Sequence, residues 1–267
     1  MTLRTGTTRR VGTAAVAVLA VVLAGGCTGS DDSGGAAPTP SPSPDPKADL
    51  LAAVPDEEDP AFRFTSADNT GDVSGVVDPL NRGLDIDTVV KEKDFTLTMS
   101  FRVLESRTWM KVDFKGAEEL HDLMKLPKEW MELDLAKLDD PAGAPTYDGT
   151  DPGNTRTIIR AASDIQEQEG TYTGVVDLTA DPAVAEVLED VDVVELADAA
   201  RQVPLTAQVD AEGNLTSLVL EIPAAGKRKA TEYAVRYFDY GTTPPVTAFT
   251  DTDATKAPAS AYELLND

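Results

Sequence analysis

Two side chains in this sequence could do chemistry on their own account: its single thiol, Cys27, and its single imidazole, His121. Cys27 closes a stretch built like an export signal. Arg4, Arg9 and Arg10 make a positive start, and Val11 to Ala24 is an apolar run of about fourteen residues. That length suits the core of a signal peptide and falls short of the ~20 residues that span a bilayer. Leu23-Ala24-Gly25-Gly26-Cys27 then looks like a bacterial lipobox, in which small residues admit the signal peptidase and the thiol receives a diacylglycerol. The position three before the cysteine is usually Leu and here is Ala24. The expectation is cleavage before Cys27 and a lipid anchor at the extracytoplasmic face of the cell membrane; the plainer alternative is secretion with a free thiol. A cysteine used as an anchor is unavailable for a disulfide, a thiol nucleophile or a metal site.

His121 stands between Leu120 and Asp122 in a short amphipathic segment and reads as a solvated side chain on a helix. With one histidine, His-rich zinc sites and the H-E-x-x-H pattern are excluded, and any Ser-His-Asp triad would have to use this residue. The nucleophile-elbow, dinucleotide and P-loop glycine patterns are also missing. The chain holds 47 Asp and Glu, so a glycosidase-like carboxylate pair carries almost no information. Acidic pairs such as Asp31-Asp32, Glu57-Glu58 and Asp139-Asp140 read as solvated surface rather than calcium sites. No enzymatic activity, cofactor or metal is expected. Formal charge is −24 for the whole chain, and removing residues 1–26, which carry three arginines and no acid, takes it to −27. A field of that sign disfavours nucleic acid and anionic headgroups as partners.

Stepping outward from these residues, the chain divides into four parts. Residues 1–26 are the signal, and 27–48 are the lipidated cysteine and a disordered linker. In that linker Pro38, Pro40, Pro42, Pro44 and Pro46 alternate, which favours extended backbone and forbids packing. Residues 49–250 form the folded domain, and 251–267 a polar tail apart from Tyr262, Leu264 and Leu265.

Within the domain, alternation with period two dominates. Phe95, Leu97, Met99, Phe101 and Val103 oppose Thr96, Thr98, Ser100 and Arg102; after a turn at Glu105 to Arg107, Met110, Val112 and Phe114 oppose Trp109, Lys111 and Asp113. Met131, Leu133 and Leu135 follow the same rule, and Leu84, Ile86 and Val90 predict an earlier strand. In the second half, Tyr172 to Leu178 and Ala234 to Tyr240 read as strands. A hairpin is expected around Asp210 to Asn214, with Gly213 able to take positive φ. Helices are expected at Glu118 to Lys125, at Thr157 to Glu167, and from an Asp181 N-cap through Pro182, with Val184, Val187, Leu188 and Val191 as its stripe.

Several short segments resemble the actinobacterial LppX, LprA, LprF and LprG lipoproteins, whose fold is LolA-like. They are Thr108-Trp109-Met110-Lys111-Val112, Trp130-Met131-Glu132-Leu133, Gly170 to Leu178, Val203-Pro204-Leu205 leading to Val209 to Leu215, and Tyr237-Phe238-Asp239-Tyr240-Gly241. The resemblance spans roughly residues 60 to 250. It implies an α+β domain: a curved antiparallel half-barrel sheet with helices across its concave face, holding acyl chains between them. Acidic insertions at Asp139 to Gly153 and Asp181 to Asp198 depart from that pattern.

A half-barrel with Phe95, Leu97, Met99, Phe101, Met110, Val112, Phe114, Met131 and Leu133 on its inner face, and Met124 on a facing helix, needs either packed helices or an apolar guest to cover it. Flexible thioethers suit a wall that must fit differing shapes. The expected function is to bind a lipid or glycolipid in such a cavity and to carry or present it in the envelope. The alternative is a closed-core version of the same fold that contacts an envelope protein.

Overall fold

The computed structural model describes residues 45–67, 72–140, 143–188, 191–250 and 252–266. Cys27, the residues read as an export signal and almost all of the range read as a linker lie outside them. Twelve strands build one large, curved, unclosed sheet. In chain order they are β1 (Phe62–Ala67), β2 (Asp72–Asp78), β3 (Gly83–Lys91), β4 (Thr96–Leu104), β5 (Arg107–Lys115), β6 (Trp130–Leu133), β7 (Ala162–Gln168), β8 (Thr171–Val176), β9 (Val203–Val209), β10 (Leu215–Ile222), β11 (Thr231–Phe238) and β12 (Ala254–Lys256). The strands from β6 back to β1 form one meander and those from β11 back to β7 a second, joined where β1 pairs with β11. All neighbours are antiparallel except β12, which lies parallel to β6 at the edge.

Period two sets the register. Met131, Met110, Phe101, Ile86, Gly75, Phe64 and Tyr237 are successive cross-strand partners in one row from β6 to β11, all on the same face. A slip of one residue on any strand would turn its apolar set to water, so burial pins each pairing. Gly75 is the one small member of the row. A Cβ there would lie 2.7 Å from Phe64 Cε1 and would also strike the Asp85 carbonyl, so the Phe64 ring occupies the space a side chain would need.

This inner face carries two apolar clusters. The larger contains Phe62, Phe64, Val77, Leu84, Leu205, Leu218 and Val235, covered by α1 (Pro46–Ala52), α3 (Thr155–Ala161), α4 (Pro182–Val187) and α5 (Val193–Leu196). The smaller lies under α2 (Leu120–Met124) and α6 (Ala259–Asn266). Both acidic insertions contribute to the larger cluster, through Tyr147, Val184, Leu188 and Leu196.

Local signals place α2 and the start of α4 where the sequence puts them. Asp181 caps α4 by accepting from Ala183 N with Pro182 in the first turn, and Lys125 ends α2 in the left-handed region. Three expectations need correcting. The helix expected over Thr157 to Glu167 stops at Ala161, and Ala162–Gln168 is the edge strand β7. Only Ile158, Ile159 and Ala162 are buried, so the helical pattern has no dry surface beyond them. The helix α1 begins inside the range read as linker: Asp45 accepts from Lys47 N and Ala48 N, Pro46 starts the first turn, and Lys47 Nζ donates to Arg160 O and Ala162 O at 2.7 Å each. The range read as a polar tail contains β12 and α6.

The outer face is not uniformly wet. Trp109 is buried beneath a strap from Thr243 to Phe249, meeting the Phe249 ring edge-on at 5.7 Å. Arg102 forms a two-pronged ion pair with Asp85 (2.8 and 2.7 Å), donates to Thr247 O and stacks over Phe249 at 4.5 Å. Buried Asp78 accepts from Val246 N at 2.9 Å and holds the middle of the strap. The C-terminal chain thus crosses the outer face, adds β12 at the edge and returns as α6 on the inner face.

Candidate functional site

The ten apolar residues expected to face a guest do come together, in the smaller inner cluster. They fall into two groups. Phe101, Met110, Val112, Phe114, Met131 and Leu133 are at most 6% exposed, with Leu126, Leu138, Ala261 and Tyr262 among them. Phe95, Leu97, Met99 and Met124, together with Leu120, are only partly buried against that cluster. The first group is a filled core; the second is a half-open apolar surface at its rim.

Strand geometry explains the division. The cluster's floor is β4, β5 and β6, where Met99 pairs with Val112 and Leu97 with Phe114. On the β3 side, Leu97 pairs with Val90, Met99 with Thr88 and Phe101 with Ile86. Thr88 in turn pairs with Val73, and Val73 with Ser66. Every one of Ser66, Val73, Ile86, Thr88, Val90, Leu97 and Met99 is only partly buried. A strip of inner face on β1 to β4 therefore lies between the two covered clusters, apolar at most positions, with a hydroxyl at Ser66 and Thr88. The sequence signals β3 through Leu84, Ile86 and Val90 but gives no sign that this stretch of face lacks a cover.

The cover over the filled part is α6, in the range read as a tail. Ala261 and Tyr262 are buried in the cluster, and Leu264 and Leu265 pack against it. Three hydrogen bonds hold the helix down: Asp134 N donates to Tyr262 Oη (2.9 Å), Asp139 N to Asn266 Oδ1 (3.0 Å), and Ser260 Oγ to Lys125 O (3.0 Å). Lys137 adds a cation over the Tyr262 ring at 5.3 Å. Spacing of Ala261, Tyr262, Leu264 and Leu265 was the available signal.

His121 departs from expectation. It is 4% exposed, its ring stands edge-on to Phe114 with centroids 5.2 Å apart, and its Nδ1 is buried without a hydrogen-bond partner among the described residues. The helix α2 is too short to have a free face here: Leu126 N donates to His121 O at 2.9 Å, folding the chain back so that Leu126 joins the cluster beside the imidazole. Glu118 closes the entry to α2 by accepting from Gly116 N at 3.2 Å, and backbone N–H groups hold its carboxyl below the usual range.

The other concentrated polar group is structural. Asp151 accepts from Thr155 N, Thr155 Oγ1 and Arg156 N, and from Tyr237 Oη at 2.6 Å, so one carboxylate caps the first turn of α3 and ties it to β11. Burial, followed by the Asp151 charge, pushes the Tyr237 phenol well above its usual pKa. Among the described residues no group of three or more His, Cys, Asp or Glu could hold a metal ion. No helix among them is long and apolar enough to cross a membrane.

Open hollows of about 880 Å3 beside Pro204, Ile222 and Thr231, and of about 860 Å3 beside Thr65, Arg236 and Tyr240, lie elsewhere on the sheet. The chain is thus an α+β protein built on a curved, unclosed antiparallel sheet with few helices. Comparison with protein-family models and with curated proteins finds no match.

Proposed function

We propose that this protein is a lipid-anchored extracytoplasmic protein of LolA-like fold that binds a lipid or glycolipid without covalent chemistry and carries or presents it at the cell membrane. The observation that carries this reading is the half-open apolar strip of Ile86, Val90, Leu97 and Met99, continuous with Phe95, Leu120 and Met124. An acyl chain laid along it would remove apolar surface from water on both partners, at about 25 cal/mol per Å2. The guest lies on the strip between the clusters, because the centre of the smaller cluster is filled by the protein's own side chains. Met99 within the strip and Met124 on the neighbouring helix supply the adaptable contact that variable chains require.

The test is native mass spectrometry of protein purified from its own host under mild detergent. A mass increment matching a lipid, lost in Met99→Asp but kept in a surface control such as Thr98→Asp, supports the carrier reading. A second reading has a specific observation in its favour: six of the ten expected guest contacts are core residues under α6. On that reading the domain is a closed module that contacts an envelope protein. Repeated lipid-free spectra of the native protein favour it over the carrier.

A further inference from the structure

Every buried polar atom needs a reason, and His121 Nδ1 has none within the described residues. Buried polar groups in folded proteins are hydrogen-bonded in the large majority of cases, and an orphan in apolar surroundings is costly. An apolar residue would fill this place between Leu120, Leu126 and Phe114 at lower cost if packing were the only demand. The imidazole also has a specific position. Its ring lies on Phe114, which pairs with Leu97 across the hairpin and stands 6.4 Å from the Phe95 ring. The imidazole thus packs on Phe114, the cross-strand neighbour of Leu97 in the half-open strip, and the partly buried Leu120 and Met124 belong to its own helix.

We infer that His121 Nδ1 is the polar recognition point of the binding strip and that it takes a hydroxyl group borne by the lipid. This rests on the carrier reading and narrows its ligand class. A hydroxyl is the group that satisfies a neutral imidazole nitrogen in either tautomer, donating to a bare Nδ1 and accepting from an Nδ1–H. A saturated hydrocarbon leaves the nitrogen orphaned, and an ester serves only the protonated tautomer. A polar end placed near α2 would meet exposed side chains of both signs, Glu118, Glu119 and Asp122 beside Lys115, Lys125 and Lys128, so charge alone selects no headgroup there. A glycerol or a sugar can supply the hydroxyl.

The experiment is displacement of an environment-sensitive naphthylamine fluorophore from tag-free protein by monopalmitoylglycerol, by an alkyl glucoside of matched chain length, and by methyl palmitate. We expect a hydroxylated probe to bind about tenfold more tightly than methyl palmitate, the scale of one added hydrogen bond to a buried group. Whichever hydroxylated probe shows the larger margin assigns the source. His121→Phe should abolish that margin while holding methyl palmitate affinity within about twofold, and His121→Gln should keep part of it. Because the chain has one histidine, its imidazole nitrogen chemical shifts report this residue alone, and the Nδ1 signal should move with monopalmitoylglycerol and stay with methyl palmitate. Equal affinities for all probes, or a margin that survives in folded His121→Phe, would overturn the inference and leave the carrier reading standing. Failure of every probe to displace the fluorophore would overturn both.

Discussion

Gly75 shows how one residue constrains the inner face of the sheet. It sits in the inner row between Phe64 and Ile86, and its missing side chain lets the Phe64 ring lie against β2. Gly75→Ala places a methyl group against backbone as well as ring, so neither neighbour can simply rotate away. We expect a loss of about 1–3 kcal/mol of stability, the usual scale of overpacking, read from the urea midpoint at unchanged slope. Two methionines make a sharper comparison. Met110 is fully buried and Met99 only partly, although both face inward on adjacent strands. An aspartate at Met110 has no route to water and should prevent folding, whereas Met99→Asp should fold, with a native circular dichroism spectrum, yet lose bound lipid. A Met99→Asp protein that keeps its lipid would remove the strip from the binding reading.

At the scale of elements, α6 is the decisive piece. It covers the smaller cluster, and its anchorage is sparse: a few hydrogen bonds, one cation over a ring, and the apolar contacts of Ala261, Tyr262, Leu264 and Leu265. Tyr262→Phe keeps the ring and removes the hydroxyl that accepts from Asp134 N. The expected cost is about 1 kcal/mol for one partly buried hydrogen bond. That loss should show as roughly fivefold faster hydrogen exchange of the amides of Ala259–Asn266, with β4 and β5 unchanged. Uniform acceleration across the sheet would mean that α6 and the sheet open as one unit. The edge strand β7 illustrates the opposite case, in which local pattern loses to context. Ile158, Ile159, Ala162 and Ile165 have helical spacing, but the chain meets the edge of β8 at Ala162 and the sheet's hydrogen bonds take over.

Two properties belong to the whole molecule. The first is its response to alkali. Four phenols, those of Tyr147, Tyr172, Tyr237 and Tyr240, are held above the usual value of 10.0, each chiefly by burial. The folded state then keeps these protons at a pH where the unfolded chain has lost them. Their contribution to stability is complete below about pH 10 and declines as pH rises above it. The tyrosinate absorbance of these four rings should therefore appear mainly with loss of the circular dichroism signal. Complete ionisation of all six tyrosines with the fold intact would contradict the burial of Tyr147, Tyr172 and Tyr237. The second is the proposed attachment at Cys27. Cys27→Ser should move the protein from the detergent phase to the aqueous phase on partitioning of membranes from its host, and an unchanged detergent share would remove the lipid anchor.

What the sequence determined by itself is the alternation. Period two along Phe95 to Val103 and Met110 to Phe114 identifies two strands, names their inner faces and puts seven of the ten proposed guest contacts, Phe95, Leu97, Met99, Phe101, Met110, Val112 and Phe114, on one surface, because side-chain direction in a strand follows from backbone geometry alone. Cap chemistry at Asp181 and Pro182 was equally local and equally legible. Only the tertiary structure decided which of those residues are sealed and which stay half open. That depends on where α6 returns from the outer face, a matter of chain path between Thr243 and Ala259 that no local pattern encodes. It also decided that His121 is buried with a nitrogen unpaired among the described residues and that Trp109, on the nominally wet face, lies under a strap. Burial is a property of what lies opposite a residue, and the segments lying opposite these are far away along the chain.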